Sequence, residues 1–173
     1  PYTTLFRSNR RTSLRQDVQR EMQKRGTACR CIRCREVRGQ IVNADELSFD
    51  DYVYTPAYSE EHFLSYNTPA DQLAGYLRLS FPQPDAPALD IPELEGAGII
   101  REVHVYGQSL PVGSERDGAT QHRGLGTSLL DEADRIAREK GVNRLAVIAA
   151  VGTRQYYAQR GFVQHELYMV KEI

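Results

Sequence analysis

The fold is decided by the stretch Gln121–Phe162, which reads QHRGLGTSLLDEADRIAREKGVNRLAVIAAVGTRQYYAQRGF. Its first six residues form a glycine turn that opens a helix, and Gly141 marks the end of that helix. Apolar side chains recur at helical spacing and form one broad face: Leu125, Leu129, Leu130, Ala133, Ile136 and Ala137. The opposite face carries spaced charge pairs, Asp131 with Arg135 and Asp134 with Arg138. The pattern predicts an amphipathic helix packed on a core.

The rest of this stretch, and the residues after it, predict a strand, a short helix and a last strand. Leu145–Val151 is wholly apolar, which indicates a strand buried on both faces, as in a parallel pair. Thr153–Arg160 predicts a short helix ended by Gly161, and Phe162–Lys171 predicts the closing strand. Alternating strands and helices are typical of an α/β fold.

The first half of the chain has the pattern of an antiparallel meander. Leu47–Tyr58, Glu61–Tyr66 and Gln72–Phe81 are rich in β-branched and aromatic residues, and turn-forming residues separate them. Pro82–Gly98 contains four prolines and predicts an excursion between strands, before Ile99–Gly107 resumes as a strand. We therefore expect an α/β fold with a mixed central sheet flanked by helices.

The N-terminal part differs from the rest in charge. Residues 1–38 contain eleven Lys and Arg but three Asp and Glu, a formal charge of +8, whereas the remaining residues carry eleven basic and twenty acidic side chains, a formal charge of −9. We interpret residues 1–8 as non-native sequence and expect the natural protein to extend further upstream. Residues 9–38 read as a basic linker with a helix from Thr12, and residues 39–173 as one globular domain. A basic arm on an acidic body suits a polyanion such as RNA, or an acidic protein face; a solvated surface helix is the alternative.

Three cysteines lie within this arm. Cys29, Cys31 and Cys34 form a CxCxxC pattern, which offers three soft ligands to one Zn²⁺ and needs a fourth ligand from elsewhere. Three reduced structural cysteines are the alternative. Their number and spacing do not fit a secreted disulfide framework, and we expect a reducing, cytoplasmic setting. The longest apolar run is far shorter than the roughly 20 residues of a membrane helix, so a membrane-spanning role is excluded.

The turn at Gln121–Gly126 is a candidate anion-binding site. Amide hydrogens at a helix N-terminus lack intrahelical partners, and the helix dipole is positive there, so phosphate oxygens bind well. Gly124 and Gly126 let a pyrophosphate approach the main chain. The turn lacks the residues of a Walker loop and the spacing of a dinucleotide fingerprint. An ordinary helix-start turn is the alternative.

The order of these parts resembles the GNAT acetyltransferase fold. Within that fold, the amino-acid sequence resembles the acetyltransferase domain of the catalytic subunit of Elongator, from roughly Arg11 to the C-terminus. The segments that carry the resemblance are IREVHVYG at 100–107, QHRGLG at 121–126, EADRIAREKG at 132–141, AVGTRQYYAQRGF at 150–162 and YMVK at 168–171.

The resemblance implies a tRNA-modifying function. Members of that family install a 5-carboxymethyl group on the wobble uridine of certain tRNAs, with acetyl-CoA as donor of the two-carbon unit. They join this domain to an N-terminal radical SAM domain that uses S-adenosylmethionine and an iron–sulfur cluster. This chain has CxCxxC and no CxxxCxxC, so we expect the radical SAM domain to be an upstream partner that is missing from this fragment.

The resemblance also assigns site residues. The pantetheine arm of acetyl-CoA would lie along Glu102, Val103, His104 and Val105, and its pyrophosphate on the turn formed by Gln121, Arg123, Gly124, Leu125, Gly126 and Thr127. The thiol end would reach Tyr157, which would protonate the departing thiolate. Tyr156 is the other candidate for this acid, and Glu102 or His104 for a base. The alternatives are core packing for the two tyrosines and an ordinary surface carboxylate for Glu102.

Two other functions remain open at this point. An ordinary GNAT enzyme would acetylate an amine of a protein or small molecule and would not need the basic arm. A tRNA-binding module with an inactive acetyl-CoA site would bind the thioester without cleaving it. Deletion of the arm and measurement of thioester hydrolysis distinguish these functions from the tRNA-modifying one.

Overall fold

The structure is a computed structural model that describes residues 13–40, 42–106 and 124–173. It divides into two compact units between Arg35 and Glu36, three residues before the boundary expected from the sequence. In the first unit, helix α1 spans Leu14–Lys24 and helix α2 spans Ile32–Arg35. The predicted helix is confirmed, and Gly26 follows it with a positive φ of 66°. No residue of α1 is buried, because its apolar stripe consists of only three residues, one in each turn: Leu14, Val18 and Met22.

The second unit is built on a meander of four antiparallel strands. These are β1 (Ser48–Tyr54), β2 (Ser59–Asn67), β3 (Leu73–Pro82) and β4 (Gly98–Val105), each paired with the next. The predicted meander is confirmed. Side chains alternate between the two faces of a strand, so Leu64, Leu77 and Leu79 all point into the core.

Strand β5 (Arg144–Val147) joins the meander through a short parallel pair. Its Leu145–Val147 segment pairs with Gly98–Ile100 of β4, and the pairing extends no further among the described residues. The sequence predicted a buried strand through Val151, but Ile148 and Val151 are 64% and 79% exposed. The strand ends at Val147 because β7 begins opposite it at Met169 and because β4, which continues to Val105, parts from it after Ile100; apolar composition reveals neither limit.

The sheet closes with a C-terminal hairpin. Strands β6 (Val163–Gln164) and β7 (Met169–Glu172) are antiparallel, and β7 also pairs with β5. The strand order within the described residues is β1-β2-β3-β4-β5-β7-β6. The prediction of one continuous strand from Phe162 to Lys171 is therefore wrong. The His165 amide donates to the Tyr168 carbonyl oxygen at 2.9 Å and so helps to close the turn.

Helix α3 (Leu125–Glu139) covers one face of the sheet, and the short helix α4 (Arg154–Ala158) follows β5. The six apolar residues predicted to form the buried face of α3 are all buried, and Gly141 ends the helix with a φ of 71°. The predicted surface pair of Asp134 with Arg138 is wrong. Asp134 is 6% exposed and forms an ion pair with Lys171 of β7.

In the part of the chain that the structure describes, no helix is long and apolar enough to cross a membrane.

Candidate functional site

The start of α3 lies where three elements meet. Gly124 occupies the N-cap position, and the helix begins at Leu125. Added to Gly126, a Cβ would lie 2.5 Å from the Tyr156 hydroxyl of α4 and 3.5 Å from Cγ2 of Val105 at the end of β4. At Gly124 the same addition would meet none of the described residues within 4 Å. Gly126 is therefore required by packing, whereas Gly124 faces open space beside the first amides of the helix.

Arg160 joins α4 to this turn, and the sequence analysis did not select it. Its guanidinium donates to Thr127 Oγ1 from Nη2 at 2.7 Å and from Nε at 3.3 Å, and to the Tyr156 carbonyl oxygen from Nη1 at 2.8 Å. The same group lies 3.6 Å from the centre of the Tyr156 ring. The available signal was the spacing of four residues between Tyr156 and Arg160 on a predicted helix. Arg160 adds positive charge to the first turn of α3.

Among the described residues, the main chain of β4 beyond Ile100 has no strand partner on the β5 side. The Tyr106 amide donates to the Ala74 carbonyl oxygen at 2.8 Å, so Tyr106 faces β3. Because strand residues alternate in direction, the main-chain groups of Val103 and Val105 point to the β5 side. The parallel pairing with β5 reaches only as far as Ile100, so β4 and β5 part before Val103.

Glu102 and His104 lie together on the sheet face opposite α3. Arg78 Nη1 donates to Glu102 Oε1 at 3.1 Å, and His104 Nε2 lies 3.4 Å from Glu102 Oε2. The His104 ring stacks on Tyr76, with centroids 5.1 Å apart. Burial raises the pKa of Tyr76 above its ordinary value, with the Glu102 charge adding to the effect. Glu102 is therefore a paired, 30%-exposed carboxylate beside an imidazole.

The two consecutive tyrosines take different environments. Tyr157 is 8% exposed and packs against Phe162 with ring centroids 5.5 Å apart, whereas Tyr156 is partly exposed with its hydroxyl at Gly126. Their rings are nearly perpendicular, with centroids 5.3 Å apart. Burial raises the pKa of both hydroxyls, so both stay protonated at neutral pH and can donate a proton.

Of the residues expected at the turn, Gln121 and Arg123 lie outside the described part of the chain. The described ones are brought together with α4 at one end of the sheet: Gly124, Leu125, Gly126 and Thr127. The side chains of Glu102 and His104 are on the other sheet face, although their main chain belongs to the same strand as Val103 and Val105.

The three cysteines of the first unit form one cluster. The Sγ atoms of Cys29, Cys31 and Cys34 all lie within 4.8 Å of one another, and no fourth His, Cys, Asp or Glu of the described residues joins them. Arg15 Nη2 donates to Cys34 Sγ at 3.2 Å. Hydrogen bonds from Cys29 and then Cys34 lower the pKa of the Cys31 thiol to about 7. Three sulfurs around one Zn²⁺ would be about 3.8 Å apart in a tetrahedral site with Zn–S bonds of about 2.3 Å, so the cluster fits a metal after small side-chain shifts.

Known proteins can be aligned with most of the length of this chain. The chain is 40% identical to a protein of Dehalococcoides mccartyi named tRNA uridine(34) acetyltransferase, over 93% of its own length and 36% of that protein. It is 42% identical to Elongator complex protein 3 of Danio rerio, over 93% of its own length and 30% of that protein. The chain thus spans about a third of the length of the curated relatives it matches. No protein-family profile matches the chain.

Solved structures share the fold. The archaeal Elp3 of Methanocaldococcus infernus, with residues 1–46 deleted, superposes with a TM-score of 0.73 at 29% identity, over 94% of this chain and 40% of that one. A Klebsiella pneumoniae chain assigned as an acyl-CoA N-acyltransferase superposes with a TM-score of 0.51 at 14% identity, over 75% of this chain and 99% of that one. The predicted GNAT acetyltransferase fold is confirmed.

Proposed function

We propose that this chain, a homologue of tRNA uridine(34) acetyltransferase and Elongator complex protein 3 over about a third of their length, is the acetyl-CoA-dependent acyltransferase part of such a tRNA-modifying enzyme. The observation that carries the proposal is the meeting of the open β4 main chain, the first turn of α3 and the hydroxyl of Tyr156. In a GNAT fold this is where a long, thin thioester with a polyphosphate head fits.

Residues of the chain suit each part of acetyl-CoA. The amides at Gly124–Thr127 and the Arg160 guanidinium would face the pyrophosphate, because both present positive charge at the same turn. The main-chain groups of Val103 and Val105 would hydrogen-bond the amides of the pantetheine arm, as a missing strand would. Exposed Ile148, just past the end of β5, offers apolar surface beside this path.

Tyr157 would act at the thioester. Bound acetyl-CoA supplies an activated acyl group whose carbon–sulfur bond breaks when a nucleophile adds to its carbonyl carbon. The Tyr157 hydroxyl then gives its proton to the departing sulfur, and its raised pKa keeps that proton available at neutral pH. Glu102 and His104 form the pair from which a base would come, since the imidazole and the carboxylate share one sheet face.

The basic arm would contact tRNA. Arg30, Arg33 and Arg35 alternate with the cysteines along the sequence, and arginines bind phosphates through paired N–H donors. In the intact protein, tRNA binding would trigger thioester cleavage and an upstream radical SAM domain would form the carbon–carbon bond. Three free cysteines support a reducing compartment such as the cytoplasm.

Cys29, Cys31 and Cys34 would hold a structural Zn²⁺. The lowered pKa of Cys31 favours the thiolate that a zinc ion requires. Zinc would neutralise the sulfur charges and fix the arm between its two helices. Arg15, which now donates to two of these sulfurs, would turn away from them.

The test is acetyl-CoA cleavage in the protein together with its upstream domain, with and without tRNA. We expect release of free CoA thiol that rises when tRNA is added and falls when Arg30, Arg33 and Arg35 are replaced by Gln. Cleavage that responds to a small amine and ignores tRNA would indicate an ordinary N-acetyltransferase instead. Tight acetyl-CoA binding with no cleavage in either condition would indicate an inactive binding module.

A further inference from the structure

A pocket of about 650 Å³ lies on the sheet face opposite α3, away from the turn at Gly126. Its floor is formed by Glu61 of β2, Ser80 of β3 and Arg101 of β4. Its wall comes from the proline-rich segment between β3 and β4, where Leu89 and Ile91 supply apolar surface. A concave site of this volume accommodates a small organic molecule.

The floor of the pocket contains a carboxylate that is only half satisfied. Glu61 is 3% exposed. Its Oε1 accepts three hydrogen bonds, from Ser59 Oγ at 2.9 Å, from Ser80 Oγ at 2.7 Å and from Arg101 Nη1 at 3.3 Å. Its Oε2 is buried and has no hydrogen-bond partner among the described residues. A buried carboxylate oxygen without a donor is costly, so this site is built to receive one.

The charges around the pocket indicate whether the missing hydrogen-bond donor belongs to a cation or to an anion. Asp90 and Glu95 also line the pocket, and Arg101 is the only basic residue among the described residues of the lining, so with Glu61 these residues carry a formal charge of −2. This balance opposes an anion and favours a cation. The apolar wall at Leu89 and Ile91 suits a cation on a hydrocarbon stem better than a bare metal ion.

We propose that this pocket binds an organic molecule bearing a primary alkylammonium group. A guanidinium prefers to span both oxygens of a carboxylate, and Oε1 of Glu61 already has three donors. An ammonium is a compact donor that serves the single remaining oxygen, while its methylene chain packs along Leu89 and Ile91. The terminal torsion of a glutamate is soft, so a small rotation of the whole carboxylate can expose Oε2 to the pocket, while the two serine hydroxyls and the half-exposed Arg101 side chain adjust to keep their hydrogen bonds to Oε1.

Such a group comes from two sources, a free polyamine or the side chain of a lysine. Spermidine represents the first and Nα-acetyl-lysine-N-methylamide the second. Nα-acetyl-norleucine-N-methylamide keeps the stem and lacks the ammonium, so it is the neutral control. The described lining of the pocket shares no residue with the turn at Gly126, so the titrations can be made without acetyl-CoA.

The test is calorimetric titration of the full chain with these three probes. We expect at least one amine to bind with one-to-one stoichiometry, and the norleucine amide to bind at least about tenfold more weakly than the lysine amide, as loss of a charge-assisted hydrogen bond requires. Tighter binding of spermidine identifies a free polyamine as the source, and tighter binding of the lysine amide a lysine side chain. Either result supports the ammonium site.

Variants locate the binding in the pocket. Glu61→Gln should weaken amine binding at least about tenfold. Leu89→Ala changes an exposed side chain, so it leaves folding intact and should weaken binding by about two- to fivefold through lost packing. Asp90→Asn should also weaken binding, whereas Asp85→Asn, an exposed acid of the same segment outside the pocket, should not.

Three results would overturn the proposal. They are absence of binding by both amines at millimolar concentration, equal binding of the norleucine amide, and equal losses from Asp85→Asn and Asp90→Asn.

Discussion

Tyr156 and Tyr157 are consecutive on α4, and a helix turns by about 100° per residue, so they cannot face the same direction. One hydroxyl reaches the first turn of α3, and the other ring packs on Phe162. We expect the two residues to have separate roles, with Tyr156 shaping the turn at Gly126 and Tyr157 acting at the thioester sulfur.

Tyr157→Phe keeps the ring and removes only the hydroxyl. We predict that the free energy of unfolding and the affinity for acetyl-CoA change little, while thioester cleavage slows by about 10²- to 10⁴-fold, the usual loss for a general acid. Tyr156→Phe is the matched control and should cleave within a few fold of the wild-type rate. The assay needs tRNA and the upstream domain.

The pH profile of cleavage gives a second readout of the same assignment. A proton donor must be protonated, and burial raises the pKa of Tyr157 above its ordinary value of about 10. The rate should therefore show no loss attributable to this acid between pH 7 and about pH 10. A wild-type rate in Tyr157→Phe combined with an inactive Tyr156→Phe would reverse the two roles, and full activity in both would exclude either tyrosine as the acid.

At the scale of elements, the ion pair between Asp134 and Lys171 ties α3 to the C-terminal hairpin. Asp134 is 6% exposed and the Lys171 side chain 21%, so the pair lies mostly out of water. Asp134 Oδ1 has no hydrogen-bond partner among the described residues, and the carboxylate therefore depends on Lys171 for its main compensation.

Lys171→Met should destabilise the second unit. It keeps an apolar stem beside Gly161 and removes the charge that compensates Asp134, at a cost of about 1–3 kcal/mol, lower than for a fully buried pair because Lys171 is partly solvated. Urea unfolding measures this cost. The double variant Lys171→Met with Asp134→Leu should recover much of the loss, and failure to recover would mean that packing, not charge, sets the cost.

The sequence predicted elements well where local periodicity decides them. The apolar spacing of Leu125 to Ala137 and the glycine after it were sufficient to predict α3. The same sequence misassigned Asp134 as a surface residue, because its partner Lys171 is 37 residues away and reaches it only through the hairpin. Likewise, Ile148 is as apolar as Leu145, but Leu145 is paired with both β4 and β7, whereas both pairings stop at Val147.

The parts of the candidate site that lie within short sequence motifs could be predicted from the sequence. The glycine turn and the paired tyrosines stand in the sequence, and the structure brings the turn and Tyr156 together. Arg160 was missed because its hydrogen-bond partner Thr127 lies 33 residues earlier in the chain. Long-range contacts of this kind leave no local pattern.

For the molecule as a whole, the cysteine cluster should bind zinc. Protein purified without chelator should contain about one zinc ion per chain, and Cys31→Ser should lose it, because a three-cysteine site tolerates no missing ligand. Zinc binds thiolates, and the pKa of Cys31 is about 7 whereas that of Cys29 is raised, so zinc affinity should fall with decreasing pH and fall more steeply below pH 7. Metal analysis decides this, with Ser13→Ala as a control outside the cluster. A folded, metal-free wild type would remove zinc from the account.

Binding of tRNA by the basic arm should depend strongly on salt concentration. Each phosphate neutralised by the arm releases a counterion, so the logarithm of the binding constant should fall with the logarithm of salt concentration by about 0.7–0.9 per contact. Replacing Arg30, Arg33 and Arg35 by Gln should flatten this slope. Replacing Arg135, Arg138 and Arg144 of the second unit should not, and equal slopes in all three proteins would place RNA binding elsewhere.

Acetyl-CoA should bind at the start of α3, and calorimetry with a Gly124→Glu variant measures whether it does. Position 124 has an ordinary φ of −85°, no described residue lies within 4 Å of a Cβ there, and a carboxylate at a helix N-terminus is favourable, so the variant should fold as stably as the wild type. The same carboxylate would repel a pyrophosphate at that turn. Wild type and the control Ala57→Glu should bind acetyl-CoA one to one, and Gly124→Glu should bind at least about a hundredfold more weakly. Unchanged affinity in a folded Gly124→Glu protein would contradict the account.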